Sequence, residues 1–220
     1  QLGAIVAVAV FFRDRIKATL GGLFKREAAS TRLFLALLAA FIPTAIVGLA
    51  LHKLVKAHLF GAGPVAAALI AGGVLMIVVE FVRRRRNVHG LEGLEHITVR
   101  KGLVIGCCQC LALWPGASRS MTTIVGGQLC GLSTKTAAEF SFLLALPTLG
   151  AATVYDFAKN HQLILAQPGG ASTLLVGMVV SFFVTWLVIA VFLRYVSRTG
   201  LSPFGLYRIA LGIIVLAMLG

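Results

Sequence analysis

The sequence predicts an all-α polytopic integral membrane protein, built as inverted-topology repeats with a re-entrant helical hairpin. Composition is the first observation behind this: 59% of the 220 residues are hydrophobic, only 12% are charged, and the mean hydropathy is +0.96, a balance suited to a bilayer and not to water. The second is a series of apolar segments near 1–12, 33–51, 64–82, 136–157, 171–193 and 203–219, spaced for about six spans at roughly 20 residues each. The third is a polar cluster inside an otherwise apolar stretch, Trp114-Pro115-Gly116-Ala117-Ser118-Arg119-Ser120 followed by Met121-Thr122-Thr123.

Loop charge orients the spans. Residues 13–32 carry Arg13, Arg15, Lys17, Lys25, Arg26 and Arg32, and residues 83–101 carry Arg83 to Arg86, Arg100 and Lys101. The alternate connections hold only Lys53 and Lys56, or Lys159, before Arg194 and Arg198 return the excess. Basic loops stay in the cytoplasm, so 13–32, 83–101, 132–135 and 194–202 are placed there and the C-terminus outside. This accounts for the net charge of +13 without nucleic acid; Arg83 to Arg86 are expected to set topology and touch anionic lipid. Pro43 and Pro147 fall within spans and are expected to kink them. The chain reads as one transmembrane domain, with a three-span half at 1–82, a basic loop at 83–97, a hairpin at 98–131 and a second three-span half at 132–220.

The hairpin carries the chemistry. Arg119 is the only charge between Lys101 and Lys135, and an arginine at membrane depth costs several kcal/mol unless compensated. Pro115 and Gly116 break the helix beside it, which membranes tolerate only where backbone is buried in protein or lines a wet cavity. Arg119 offers a planar fork for bidentate phosphate contact. Ser118, Ser120, Thr122 and Thr123 offer hydroxyls, and the amides opening the following helix favour an anion. The competing reading makes Arg119 a structural tie to helix C-termini. Ser118 is either nucleophile or phosphate donor, and Gln109 either contacts the site or satisfies a backbone carbonyl. Glu80, Glu139 and Asp156 sit near span ends, where a plain interfacial carboxylate is expected. Cys107, Cys108, Cys110 and Cys130 fit no zinc spacing and read as buried small hydrophobes. The histidines at 52, 58, 89, 96 and 161 form no ligand pattern.

The two three-span sets run in opposite senses, and inverted repeats place their ligand near the midplane at discontinuous helices. A hairpin precedes the second set, so one is expected before the first. The chain instead opens on Gln1 and is apolar by Leu2 without a signal-peptide pattern, and the expectation is that this first hairpin has been cut off.

The cluster at 114–123, the preceding Gly106-Cys107-Cys108-Gln109-Cys110-Leu111-Ala112-Leu113, the following Glu139-Phe140-Ser141-Phe142-Leu143-Leu144-Ala145-Leu146-Pro147, the opening Gln1-Leu2-Gly3 and the late Tyr207-Arg208 resemble bacterial undecaprenyl-pyrophosphate phosphatases of the bacitracin-resistance type. The resemblance implies a multi-pass enzyme of the bacterial cytoplasmic (inner) membrane that removes the terminal phosphate from a C55 prenyl pyrophosphate lipid, regenerating the carrier for peptidoglycan synthesis. It implies a site facing the outer side, with Arg119 and Ser118 catalytic and with Gly116, Ser120, Thr122, Thr123, Gln109 and Glu139 binding substrate. A divalent cation, magnesium or calcium, is implied, with its ligands unassigned; a homodimer stays open. The family also has a Glu-rich helix running into Pro-x-Ser-Ser-Thr-Gly-His, supplying acidic residues, a serine and a histidine. That segment does not occur here, so the expectation is half an active site and no activity from these 220 residues alone. The alternative function is a lipid-phosphate transporter or flippase, which inverted repeats with broken helices suggest equally.

Overall fold

A computed structural model describes residues 1–166 and 170–219, except the side chains of residues 52, 53, 56, 58 and 160–166. The charges expected of Lys53 and Lys56, and the histidines at 52, 58 and 161, lie outside the described side chains. Nine α-helices occur among the described residues: α1 (Leu2–Phe11), α2 (Arg13–Phe24), α3 (Ala28–His58), α4 (Ala62–Arg85), α5 (Val99–Cys110), α6 (Arg119–Leu129), α7 (Thr134–Ala166), α8 (Gly170–Thr199) and α9 (Ser202–Ala217). Among the described residues, four segments are long and apolar enough to cross a membrane: Ala28–Leu51, Ala62–Arg85, Thr134–Lys159 and Gly170–Thr199. The chain is a multi-pass membrane protein by these helices. Leucines, valines, Phe183 and Trp186 stand exposed along α8, a surface that lipid covers.

Side-chain meetings give the helix directions. Gly3 of α1 abuts the Met178 backbone of α8 and Phe11 meets Trp186 with ring centroids 6.5 Å apart, so α1 and α8 run parallel. Helix α9 runs against α4, with Gly212 on Ala66 and Ile70, Gly205 on Gly73, and Leu201 on Glu80. Helix α5 lies parallel to α3, with Gly102 on Ala36, Gly106 on Ala40 and Leu113 on Gly48. A Cβ on Gly102 would stand 2.3 Å from the Ala36 carbonyl oxygen, and one on Gly106 would stand 2.4 Å from that of Ala40. Small residues four apart on both helices let the backbones touch, which is how helices associate where lipid removes the hydrophobic drive. Among α1, α3, α4, α7, α8 and α9 the pairings are α4 with α9, α1 with α7, α1 with α8, α3 with α7 and α7 with α8. Exchanging α1, α3 and α4 for α7, α8 and α9 maps four of these five pairings onto one another, as inverted repeats would, while α7 with α8 has no counterpart between α1 and α3.

Two sequence expectations are corrected. Residues 13–32 are no loop: α2 occupies most of the stretch, because arginine, lysine, leucine and alanine are good helix formers and charge alone does not unwind them. Residues 1–12 yield a helix of ten residues, about 15 Å at 1.5 Å per residue, against a hydrocarbon core of about 30 Å. Pro43 and Pro147 both lie inside continuous helices.

Glu80 is also corrected. Instead of reaching for water it is 6% exposed, with Oε1 accepting from Arg84 Nη2 at 2.8 Å and Oε2 accepting from the amides of Leu201 and Ser202. Helix α9 has no side-chain cap of its own, and Glu80 of α4 supplies the acceptor its first turn lacks.

Candidate phosphate-binding site at the hairpin tip

Helices α5 and α6 have twelve and eleven residues, about 18 and 17 Å, each too short to cross alone. They pack side by side as the two arms of the expected hairpin. A single 3₁₀ turn at Leu111–Leu113 ends the first arm, and Trp114, preceding proline, turns extended at φ −72°, ψ 117°. The chain reverses through Gly116 at φ +93°, where a Cβ would lie 2.5 Å from the Val65 carbonyl oxygen. Glycine is required there on both counts.

Three contacts fix the tip to α4. Trp114 Nε1 donates to the Pro64 carbonyl at 3.1 Å. Arg208 of α9 donates through Nη2 to the Gly116 carbonyl at 2.6 Å and to that of Ala68 at 3.4 Å. At the other end of α4, Arg83 donates to the carbonyls of Gln128 at 2.5 Å and Leu132 at 2.9 Å, closing the last turn of α6. The hairpin therefore reaches from the Arg83–Arg86 end of α4 almost to its opposite end.

Ser118 caps α6. Its Oγ accepts from the Met121 amide at 3.4 Å and its carbonyl from the Thr122 amide at 3.1 Å. It holds φ +63°, a left-handed conformation uncommon outside glycine that concentrates at functional sites. The amides of Ser118, Arg119 and Ser120 have no acceptor among the described residues, and they point out of the positive end of the helix. Arg119, half-buried, donates through Nη1 to the Ser141 carbonyl at 3.1 Å and makes no ion pair; the pairs among the described residues are Arg13–Asp14 and Arg84–Glu80. One contact aims the guanidinium and leaves its other N–H groups unspent. Exposed Ser118 and half-buried Ser120 stand beside it.

The remaining expected residues divide. Thr122 and Thr123 are buried and donate back to the Arg119 carbonyl, each at 2.9 Å, as helical threonines commonly do. Thr123 also meets Ser141, with Oγ atoms 2.6 Å apart. Both threonines shape the start of α6 and leave the open hydroxyls to Ser118 and Ser120. Gln109, 1% exposed, donates to the Thr44 hydroxyl of α3 at 2.9 Å, below the tip and not to a backbone carbonyl. The charges acting on Glu139 are Lys135, Arg15, Glu92 and Glu95, and no hydrogen bond or ion pair joins it to Arg119. Cys107 is exposed on the hairpin arm and the other three cysteines are part-exposed thiols, so the expected burial is incomplete.

No group of three or more His, Cys, Asp or Glu that could hold a metal occurs among the described residues. The tip offers hydroxyls, amides and a guanidinium, a donor set for an anion; magnesium and calcium need oxygen ligands, usually with carboxylates among them. These residues do not fit the implied divalent cation.

Sequence reading missed the roles of Arg208 and Ser141. Arg208 had the same signal as Arg119, a lone charge within an apolar segment; Ser141 had none, because its carbonyl and not its side chain holds Arg119.

Comparison with known proteins decides the family. The model of the family described as bacitracin resistance protein BacA matches residues 1–214. The chain belongs to that family. A relative from Sorangium cellulosum, named undecaprenyl-diphosphatase, is 63% identical over 216 residues, covering 98% of this chain and 70% of the relative. Family members of the same name from Thermoanaerobacter sp. (strain X514) and Wolinella succinogenes are 41% identical over 218 residues and 44% identical over 216, covering 99% and 98% of this chain and 79% and 78% of theirs.

Proposed function

We propose that this chain carries the phosphate-binding machinery of an undecaprenyl-diphosphatase, an enzyme that hydrolyses a C55 prenyl diphosphate to the prenyl monophosphate and inorganic phosphate. The observation that carries the reading is the hairpin tip: an arginine with no carboxylate partner, beside three unspent amides and the Ser118 and Ser120 hydroxyls. Family membership and the names of the relatives agree with it.

In the reaction the oxygen of a water attacks the terminal phosphorus, and the bridging P–O bond breaks with its electron pair passing to the lipid monophosphate. Catalysis of phosphoryl transfer is mostly positioning and charge stabilisation. The free N–H groups of Arg119 suit two terminal phosphate oxygens at once. The amides of Ser118, Arg119 and Ser120 suit a third, and the Ser118 and Ser120 hydroxyls donate to what remains. The Ser141 carbonyl keeps the guanidinium from folding away before substrate arrives.

Two further points belong to the reading. The tip meets α4 at Pro64, Val65 and Ala68, away from the Arg83–Arg86 cluster; with that basic cluster in the cytoplasm, the site opens near the outer face of the inner membrane. Spans paired as inverted repeats bring the lipid to a broken helix within the bilayer, where a C55 tail stays in hydrocarbon.

Phosphate release from C55 prenyl diphosphate by the purified protein in nanodiscs tests this, run beside lipid translocation in sealed vesicles. Release that disappears in Arg119→Ala supports the hydrolase. Translocation without release supports the transporter instead.

A further inference from the structure

At the end of the bundle opposite the tip, a cavity of about 420 Å³ lies between the end of α4, the 87–92 segment and the start of α7. Arg83, Arg84, Gln128, Thr134 and Lys135 line it, together with Glu80 and Glu92. Its charges do not cancel. Glu80 is spent on Arg84 and on the α9 amides. Arg83 donates to two carbonyls and to no carboxylate, and Lys135 is exposed without an ion pair. That leaves two cations against Glu92.

Helix α7 begins here. The amides of Thr134 and Lys135 have no acceptor among the described residues, and they form the positive end of a 33-residue helix. Independently of that helix end, Gln128 is 3% exposed and lines the cavity. Its Nε2 donates to the Thr134 hydroxyl at 2.9 Å, while its Oε1 is buried with no partner. A buried polar atom without a partner in a polar cavity calls for one.

We propose that this cavity is a second phosphate-binding site, separate from the tip. A phosphate group near neutral pH carries both charge and an exchangeable proton. Its P–OH donates to Gln128 Oε1, and its anionic oxygens accept from the α7 amides and from Lys135, with Arg83 adding its field. The ligand is a phosphate group, borne either by the free ion or by a lipid head.

Titration calorimetry on protein carrying Arg119→Ala, which removes the tip arginine, tests the proposal. In phosphatidylcholine nanodiscs one arm adds inorganic phosphate and the other adds dioctanoyl phosphatidate. Saturable binding in either arm, weakened at least tenfold by the surface substitution Lys135→Glu, supports the site, and the responding arm identifies the source. Lys135→Ala, with an expected loss of about threefold, serves if the charge reversal fails to fold. Binding in neither arm, or binding indifferent to Lys135, overturns it.

Discussion

Arg208 Nη2 donates to the Gly116 carbonyl at 2.6 Å, tying α9 to the reversal of the hairpin 92 positions earlier in the chain. Arg208 is only 9% exposed, and its Nη2 also reaches the Ala68 carbonyl of α4. One guanidinium therefore sets the tip against two spans, and the geometry of Arg119 depends on a residue outside the hairpin.

Replacing Arg208 with methionine should lower hydrolysis about 10²-fold through a misplaced tip. Hydrogen bonds to charged groups contribute about 1.5–3 kcal/mol, so melting in detergent should show a loss of that order. Phosphate release and a thermal melt check both; unchanged turnover would remove Arg208 from the account.

Gly116→Ala tests the same tip from its backbone. Positive φ costs a residue with a Cβ about 1–2 kcal/mol, and the Val65 carbonyl stands where that carbon would go. The expected result is a loss of turnover exceeding the loss of stability, read from kcat beside the melting temperature.

Glu80 and Arg84 form an ion pair whose two halves should differ. The Arg84 side chain is 66% exposed and that of Glu80 8%. Arg84→Ala removes a largely solvated partner, worth about 0–1 kcal/mol. Glu80→Ala strips two amides of their acceptor as well, at about 1–3 kcal/mol for each group left buried. Chemical or thermal denaturation of the two variants should rank Glu80→Ala as the more damaging; the reverse order would refute the capping role.

Much of this was legible because membranes punish polarity. Apolar length marked the four long spans, the Pro115-Gly116 break marked the tip, and the isolation of Arg119 marked the candidate site. Charge misled at 13–24, where basic residues build α2, and at Glu80, where a span-end carboxylate turned inward to cap a helix 121 positions away. Residue type could not separate Ser118 and Ser120, with open hydroxyls, from Thr122 and Thr123, which bond their own helix; that follows from position within the first turn. Nor could it reveal the Ser141 carbonyl, since every residue has one.

The proposed outward opening is open to a labelling test. In protein with its four cysteines replaced by alanine, Ser118→Cys should react with a membrane-impermeant maleimide added outside intact cells, and Lys135→Cys should react only after permeabilisation. The opposite pattern would invert the orientation.

The most direct measurement of the central claim is phosphate release from C55 prenyl diphosphate by wild-type protein and by Arg119→Lys, with folding checked by thermal melt. If Arg119 grips the terminal phosphate as a fork, lysine keeps the charge, loses the geometry, and turnover falls about 10²–10³-fold, the loss typical of a preorganised donor. Near wild-type turnover from a folded lysine variant would contradict it.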